Sequence, residues 1–399
     1  MEISLWILSI IVGLILLAAL DFTLGRRKHL SKVNKRTFPV RKSDIDIFVH
    51  GPDLFEDYFN EVKKAKKHIH ILFYIVKNDP ISNEFLGILK EKARQGVEVR
   101  LLVDWVGCRI SRKSRKELKE AGVEFAFSQK PRLPFLFYSS QVRNHRKITV
   151  LDGCIGFFGG FNIGKEYIDL DKKLSPWRDY HLKLTGDGVQ DLQKEFLIDW
   201  KDSAKINLLQ KELYFPKQKQ GSIPHQFVPS EGRLLEDTLY NLITKAEESI
   251  FIGTPYFIPS QRIFTELLAA IDRGVSLTLL VPFKADHPLV KEASYQYLRT
   301  LLKAGAEVHQ YKKGFYHAKV LVIDDTLCDL GTANFDKRSM FLNFELNCLV
   351  YDFDFIRRVK GILHQDLLDS KPVSLSELTT FNPYRALKER TARTVSYFL

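Results

Sequence analysis

Two histidines in this sequence keep the same company. His145 is followed by Lys147, Asp152, Gly159 and Asn162, and His317 by Lys319, Asp324, Gly331 and Asn334, at offsets of +2, +7, +14 and +17 in both copies. One H-x-K-x-x-x-x-D run arises by chance in roughly one sequence in twenty with this histidine content, so a pair with matching glycine and asparagine offsets is not coincidence. A third H-x-K, His181-Leu182-Lys183, lacks the aspartate and is read as part of a strand. Two imidazoles that titrate near neutrality suit phosphoryl transfer. One attacks phosphorus while the other protonates the leaving oxygen, and the roles reverse when an alcohol or water arrives. The expected intermediate is a covalent phosphohistidine. Lys147, Lys319, Asn162 and Asn334 are the candidates to bind the phosphate and stabilise charge on its oxygens, and neither a metal nor another cofactor is called for.

These groups need elements to hold them. Ile148 to Leu151 and Val320 to Ile323 read as buried strands, so each His-x-Lys pair opens a strand with both side chains on one face. Asp152 and Asp324 complete the signature and are counted with the catalytic set. Their odd spacing from the histidine puts them off its face, where they are expected to brace strand ends. The segments Gly159 to Asn162 and Gly331 to Asn334 read as turns that bring an amide close to another backbone. The repeat extends outward at an offset of about 180 residues. In each half a Leu-Glu-Asp or Phe-Glu-Asp helix start is followed by a strand-like run, an amphipathic helix ending at Gly96 or Gly274, and a second apolar strand. Alternating strands and helices argue for an α/β layered fold in each half. If the halves pack with approximate two-fold symmetry, one pocket gathers two His, two Lys and two Asn.

At 399 residues with 45% hydrophobic and 27% charged side chains, the chain supports more than one domain and excludes wholesale disorder. Four cysteines without C-x-x-C spacing support neither a disulfide framework nor a zinc ribbon and suit a reducing compartment. The net charge is +12, of which residues 1–42 carry +6: Arg26, Arg27, Lys28, Lys32, Lys35, Arg36, Arg41 and Lys42 face Glu2 and Asp21. The remaining residues are too modestly basic to mark a nucleic-acid groove on charge alone. Ile3 to Leu20 is uncharged, free of proline and close to the length that spans a hydrocarbon core. The positive charges follow it instead of preceding it, which favours a single-pass anchor over a cleaved signal peptide and places the rest of the chain on the cytoplasmic side of the cell membrane. Those basic residues also attract anionic lipid, by about 1 kcal/mol each near the surface. The expected organisation is an anchor (1–24), a basic linker (25–42), a first domain (43–216), a polar linker (217–226), a second domain (227–380) and a basic tail (381–399).

The doubled signature resembles the phospholipase D superfamily over most of residues 43–380. Within it, Asn144 to Tyr167, Trp177-Arg178-Asp179, Thr254 to Pro259 and Gly331 to Asn347 resemble bacterial cardiolipin synthases. The resemblance implies two tandem phospholipase D-like α/β sandwich domains behind one membrane helix. It also implies a membrane-bound phosphatidyltransferase that joins two phosphatidylglycerols into cardiolipin and releases glycerol. Many members carry two N-terminal membrane helices; this chain has one, like shorter members found in bacilli. A histidine-orienting carboxylate on a later strand is implied too, for which Asp179 and Glu345 are the candidates, 34 and 28 residues after His145 and His317. The family pattern makes His145 the nucleophile and His317 the general acid. A phospholipid or nucleic-acid hydrolase would use the same residues, and a lipid-binding scaffold would need no nucleophile. Against a nucleic-acid partner stand the anchor, the modest charge and the apolar stretch Pro131 to Tyr138. That stretch reads either as a loop that receives acyl chains or as a core strand. The tail from Tyr384 to Leu399 reads either as an interfacial helix or as a packed terminal one. Acceptor choice and oligomeric state are not legible in the sequence.

Overall fold

A computed structural model describes residues 2–33, 36–380 and 382–399. Lys35, counted above among the basic residues, lies outside them. The first half contains strands β1 (Arg41–His50), β2 (His68–Phe73), β3 (Glu98–Asp104), β4 (Glu124–Ser128), β5 (Ile148–Leu151), β6 (Ile155–Gly159) and β7 (Trp177–Gly186). The second contains β8 (Ile223–Glu231), β9 (Ser249–Gly253), β10 (Phe257–Ile258), β11 (Ser276–Pro282), β12 (Glu307–Tyr311), β13 (Phe315–Tyr316), β14 (Val320–Ile323), β15 (Leu327–Gly331), β16 (Phe335–Asp336), β17 (Phe344–Val350) and β18 (Ser370–Pro372). β1 therefore opens inside the expected 25–42 linker, and β8 inside the expected 217–226 linker.

Reading outward from its centre, the sheet runs β1-β7-β6-β5-β2-β3-β4 in one direction and β8-β17-β15-β14-β9-β11-β12-β18 in the other. Apart from the terminal β18, the two orders are the same, so the duplication in sequence is a duplication in topology. The halves join where β1 and β8 pair antiparallel, Ser43 opposite Ile223 and Arg41 opposite His225. β2, β3 and β4 are parallel, as are β9, β11 and β12. Every residue of β2 is buried, His68 and His70 included, so the strand is covered on both faces. One hydrophobic cluster crosses the junction, bringing Phe158, Phe196 and Trp200 together with Phe227, Leu346 and Phe355.

The N-terminal helix Glu2–Leu30 outlasts the expected anchor by six residues. From Leu5 it is long and apolar enough to cross a membrane, and the stretch to Leu24 spans about 30 Å at 1.5 Å per residue. Its lower end is docked, not free. The Tyr138 amide donates to Asp21 Oδ1 at 2.8 Å, and Phe22 meets Tyr138 and Tyr397 edge-on at 5.4 and 5.7 Å between ring centroids. Gly25 is needed there: a Cβ would stand 2.7 Å from that of Tyr138. Tyr138 belongs to the short helix Leu136–Gln141, which corrects the core-strand reading of Phe135 to Tyr138. The segment is too short and too committed to the N-terminal helix to enter the sheet, and Leu133 at its tip is 81% exposed. The tail forms a helix, Pro383–Val395, held against helix Val290–Ala304 by Arg299 to Glu389 and Lys388 to Glu292 ion pairs. The helix is packed along one side, while Tyr384 and Leu387 stay exposed on it.

Behind the first H-x-K lies a buried ion network. Arg146 points to the face opposite its neighbours, has no exposed surface, and binds Glu195 Oε1 at 2.7 Å and Asp199 Oδ1 at 2.9 Å. Both carboxylates stand on helix Val189–Ala204. Arg36, from the segment after the membrane helix, reaches Glu195 as well, at 2.8 Å, and also Glu231. Removing one partner from such a network leaves charge buried without compensation. Arg146→Met is therefore expected to lower stability by about 3–5 kcal/mol, read from denaturant unfolding in detergent. A loss no larger than that of an exposed arginine would contradict the network's role.

Candidate active site

His145 and His317 lie just ahead of β5 and β14, and the way their backbones are held decides which groups they meet. His145 N–H donates to Phe344 O at 2.9 Å, and Phe344 N–H donates to Arg143 O at 2.8 Å. His317 N–H donates to Arg178 O at 2.7 Å, where β13 runs alongside the start of β7. Each histidine segment is thus laced to the strand of the other half, one residue before that strand's carboxylate. The consequence is a crosswise pairing. His145 Nδ1–H donates to Glu345 at 3.0 and 3.1 Å, and His317 Nδ1–H donates to Asp179 Oδ2 at 2.6 Å. The within-half pairing implied by the 34- and 28-residue spacings is corrected: each carboxylate serves the histidine of the opposite repeat. In both rings the arrangement fixes the tautomer and leaves Nε2 as the reactive nitrogen.

The carboxylates are themselves held ionised. Burial opposes the charge on Glu345, but His145, Lys147 and a hydrogen bond from Thr332 outweigh it and keep the acid below its usual range. Thr332 Oγ1, Ser339 Oγ and Asn343 Nδ2 all donate to Glu345, at 2.6, 2.9 and 3.1 Å. Burial likewise opposes Asp179, and Lys319, His317 and the Tyr180 amide prevail. Gly160 makes room for Asp179, since a Cβ there would lie 2.0 Å from Asp179 Oδ1. In the second copy Thr332 occupies the corresponding turn position and turns its hydroxyl to use. Sequence reasoning missed Thr332, Ser339 and Asn343; their only signal was their place inside the family-like segment Gly331 to Asn347.

Burial pushes both histidines down. For His145, Glu345 partly offsets it. For His317, Lys319 adds to burial and the pKa falls to about 4 despite Asp179. Both rings are neutral at pH 7, and each is barely exposed, 8% and 7%. Burial also lowers Lys147, to about 7 against the pull of Glu345, and Lys319, against the pull of Asp179. Lys147 Nζ donates to His145 O at 2.6 Å. Lys319 Nζ donates to Asp179 Oδ2 at 3.4 Å and lies 2.6 Å from His317 Nδ1. The pocket is thus short of positive charge until an anion enters, and a phosphodiester would raise both histidines and Lys147 toward their cationic forms.

The remaining expected residues divide. Asn162 is fastened: its Oδ1 accepts from Ile75 N–H at 3.0 Å and its Nδ2 donates to Tyr167 OH at 3.3 Å. Asn334 Oδ1 is buried without a partner among the described residues. Asp152 and Asp324 do not reach the pocket, which corrects their place in the catalytic set. Asp152 accepts from the amides of Lys66, Lys67 and His68 at 2.7–2.9 Å, and Asp324 from those of Glu247, Glu248 and Ser249 at 2.7–3.2 Å. Each caps the entry to β2 or β9 from the far end of its own strand. His181 lies buried within β7, where burial drives its pKa down to about 3. Among the described residues no group of three or more His, Cys, Asp or Glu side chains gathers as a metal site.

The family model for "Cardiolipin synthase, PLD-like domain" matches residues 58–200 and 239–367. The chain belongs to the cardiolipin synthase family. It is 40% identical over 400 residues to the minor cardiolipin synthase ClsB of Bacillus subtilis, with 100% of both chains covered. It is 38% identical to a cardiolipin synthase of Oceanobacillus iheyensis, over 85% of this chain and 72% of that one. Of solved structures, the phosphatidylserine synthase of Haemophilus influenzae superposes with a TM-score of 0.72 at 14% identity, covering 94% of this chain and 100% of the other. That likeness shows the shared fold. As a family member the chain is a phospholipid phosphatidyltransferase.

The lowered Lys147 has a measurable sign. Its proton is held less tightly in the folded chain (about 7) than in the unfolded one (10.5). The unfolded state therefore binds more protons across that window, and stability rises with pH through it. Lys147→Met is expected to flatten that rise and to raise the melting temperature near pH 7. Thermal melts across pH 7–9 check this, and an unchanged slope would contradict a depressed Lys147.

Proposed function

We propose that the chain transfers a phosphatidyl group from one phosphatidylglycerol to another, giving cardiolipin and glycerol, at the cytoplasmic face of the cell membrane. The observation that carries this reading is the pair of neutral imidazoles, each with Nδ1–H fixed by a carboxylate and Nε2 left for chemistry. His145 Nε2 attacks the phosphorus of the bound phosphodiester, forming a P–N bond as the P–O bond to glycerol breaks. His317, protonated once the anionic phosphate is present, gives its proton to the departing oxygen. The neutral His317 then takes the proton from a hydroxyl of the second phosphatidylglycerol, whose oxygen displaces His145 from phosphorus. Lys147, Lys319 and Asn334 stabilise the charge on the non-bridging oxygens, and Asn162 holds its turn in place. The basic residues after the membrane helix support the cytoplasmic orientation and attraction to anionic lipid.

Incubation of the membrane-embedded protein with phosphatidylglycerol is expected to yield cardiolipin and free glycerol by mass spectrometry. His145→Ala and His317→Ala should each lower the rate at least ~10³-fold. Phosphatidic acid without cardiolipin would contradict transfer and make water the acceptor. A second expectation concerns pH. kcat/KM reports the free protein and kcat the loaded one. The alkaline limb of kcat/KM should therefore begin well below pH 7, where free His317 loses its proton at about 4, and steepen near pH 7 as free Lys147 loses its own, whereas that of kcat should lie higher because the bound phosphate raises both groups. Coincident limbs would contradict this.

A further inference from the structure

The two halves differ at one place that the chemistry of the histidines does not explain. Parallel strands β9, β11 and β12 end at Gly253, Pro282 and Tyr311, and beyond them lies a small solvent-open cleft lined by Tyr256, Pro282, Asp286, Val290, Lys291 and Tyr295. The carboxyl ends of parallel strands are where α/β sheets hold ligands. The matching ends in the first half, Phe73, Asp104 and Ser128, are filled. Asp104 is fully buried, with Oδ1 accepting from Arg143 Nη1 at 3.1 Å and from Val106 N–H at 2.9 Å, and Oδ2 accepting from Asn144 N–H at 2.9 Å. The loop after Asp104 lies so close to Tyr74 that a Cβ on Gly107 would stand 1.9 Å from Tyr74 O.

The cleft is linked to His317 through Tyr256 and carries hydroxyl-binding chemistry. Tyr256 meets the His317 ring edge-on, 6.2 Å between centroids, and its hydroxyl donates to Asp286 Oδ2 at 2.5 Å. The Asp286 side chain keeps 12% of its surface exposed. A carboxylate beside a phosphate site repels the phosphate itself and accepts hydrogen bonds from alcohols. Its charge also favours the proton on His317, the proton that the leaving alcohol requires. The apolar wall of Val290 and Pro282 suits the carbon skeleton of a small polyol.

We propose that this cleft is the polyol subsite, in which Asp286 and Tyr256 bind the glycerol portion that leaves and then the glycerol hydroxyls of the acceptor. The inference rests on the transfer reaction proposed above. In it the P–O bond to the bound glycerol breaks as the P–N bond to His145 forms, and the proton passes from His317 to the glycerol oxygen. In the second step the acceptor oxygen bonds to phosphorus, the P–N bond breaks and the proton returns to His317. The cleft also distinguishes the two histidines, because it is His317 that has Tyr256 and the Asp286 charge beside it.

The test is headgroup exchange by the full-length membrane-embedded protein, using labelled phosphatidylglycerol and free glycerol or ethanol as acceptors. Asp286→Ala and the milder Tyr256→Phe are each expected to lower the glycerol-to-ethanol ratio of kcat/KM, by about tenfold for Asp286→Ala, mainly through KM for glycerol. Ethanol, lacking a second hydroxyl, has little to lose. A ratio unchanged in both variants, with both acceptors falling together, would overturn the subsite and leave a structural role. Failure of the unaltered protein to exchange either alcohol would overturn the transfer reaction and the subsite with it.

Discussion

The structure depends on a hydrogen bond that neither half can make alone. Each catalytic-type histidine is oriented by a carboxylate from the opposite repeat, His145 by Glu345 and His317 by Asp179. The backbone enforces the exchange, because the residue before each carboxylate is bonded to the other half's histidine segment. A buried carboxylate without its imidazole would leave desolvated charge, and an imidazole without its carboxylate an unpaired Nδ1–H. The site therefore forms only when the halves are joined through β1 and β8 and the hydrophobic layer that crosses between them. The two repeats are two domains by duplication and one unit by chemistry.

The same segment connects the site to the apolar N-terminal helix. His29, near the end of the N-terminal helix, donates from Nε2 to Glu231 O at 3.2 Å and packs edge-on to Phe344 at 5.6 Å between centroids. Phe344 receives the His145 amide. Arg36, a few residues on, shares Glu195 with Arg146, the residue between His145 and Lys147. The helix is thus tied to both faces of the first H-x-K strand.

Much of this was legible in the residues. The two-residue spacing of His and Lys announced a shared face, and the odd spacing of Asp152 and Asp324 announced that they would turn away to serve strand ends. The repeat of apolar runs announced strands that stand in the same order in both halves. The crosswise partners were not legible. Spacing along the chain suggests that Asp179 faces His145, and only the packing of the halves, a long-range event without local signature, reverses it. Nor could periodicity show Arg146 buried on the reverse face, since a lone arginine between two site residues looks like more basic charge. Pro131 to Tyr138 was ambiguous because its aromatic run suits a strand; contact with Phe22 and Gly25, more than a hundred residues earlier, makes it a helical turn.

The most direct test uses a phosphatidyl ester with a 4-nitrophenyl leaving group, which departs without a proton and so frees the first step from general acid catalysis. After rapid quenching, the histidine adduct is located by peptide mass spectrometry. Crosswise pairing predicts that His317→Ala and Asp179→Asn accumulate the adduct on His145, because its attack survives and its release does not, while Glu345→Gln forms little. Adduct on His145 that persists in Glu345→Gln and disappears in Asp179→Asn would contradict the account.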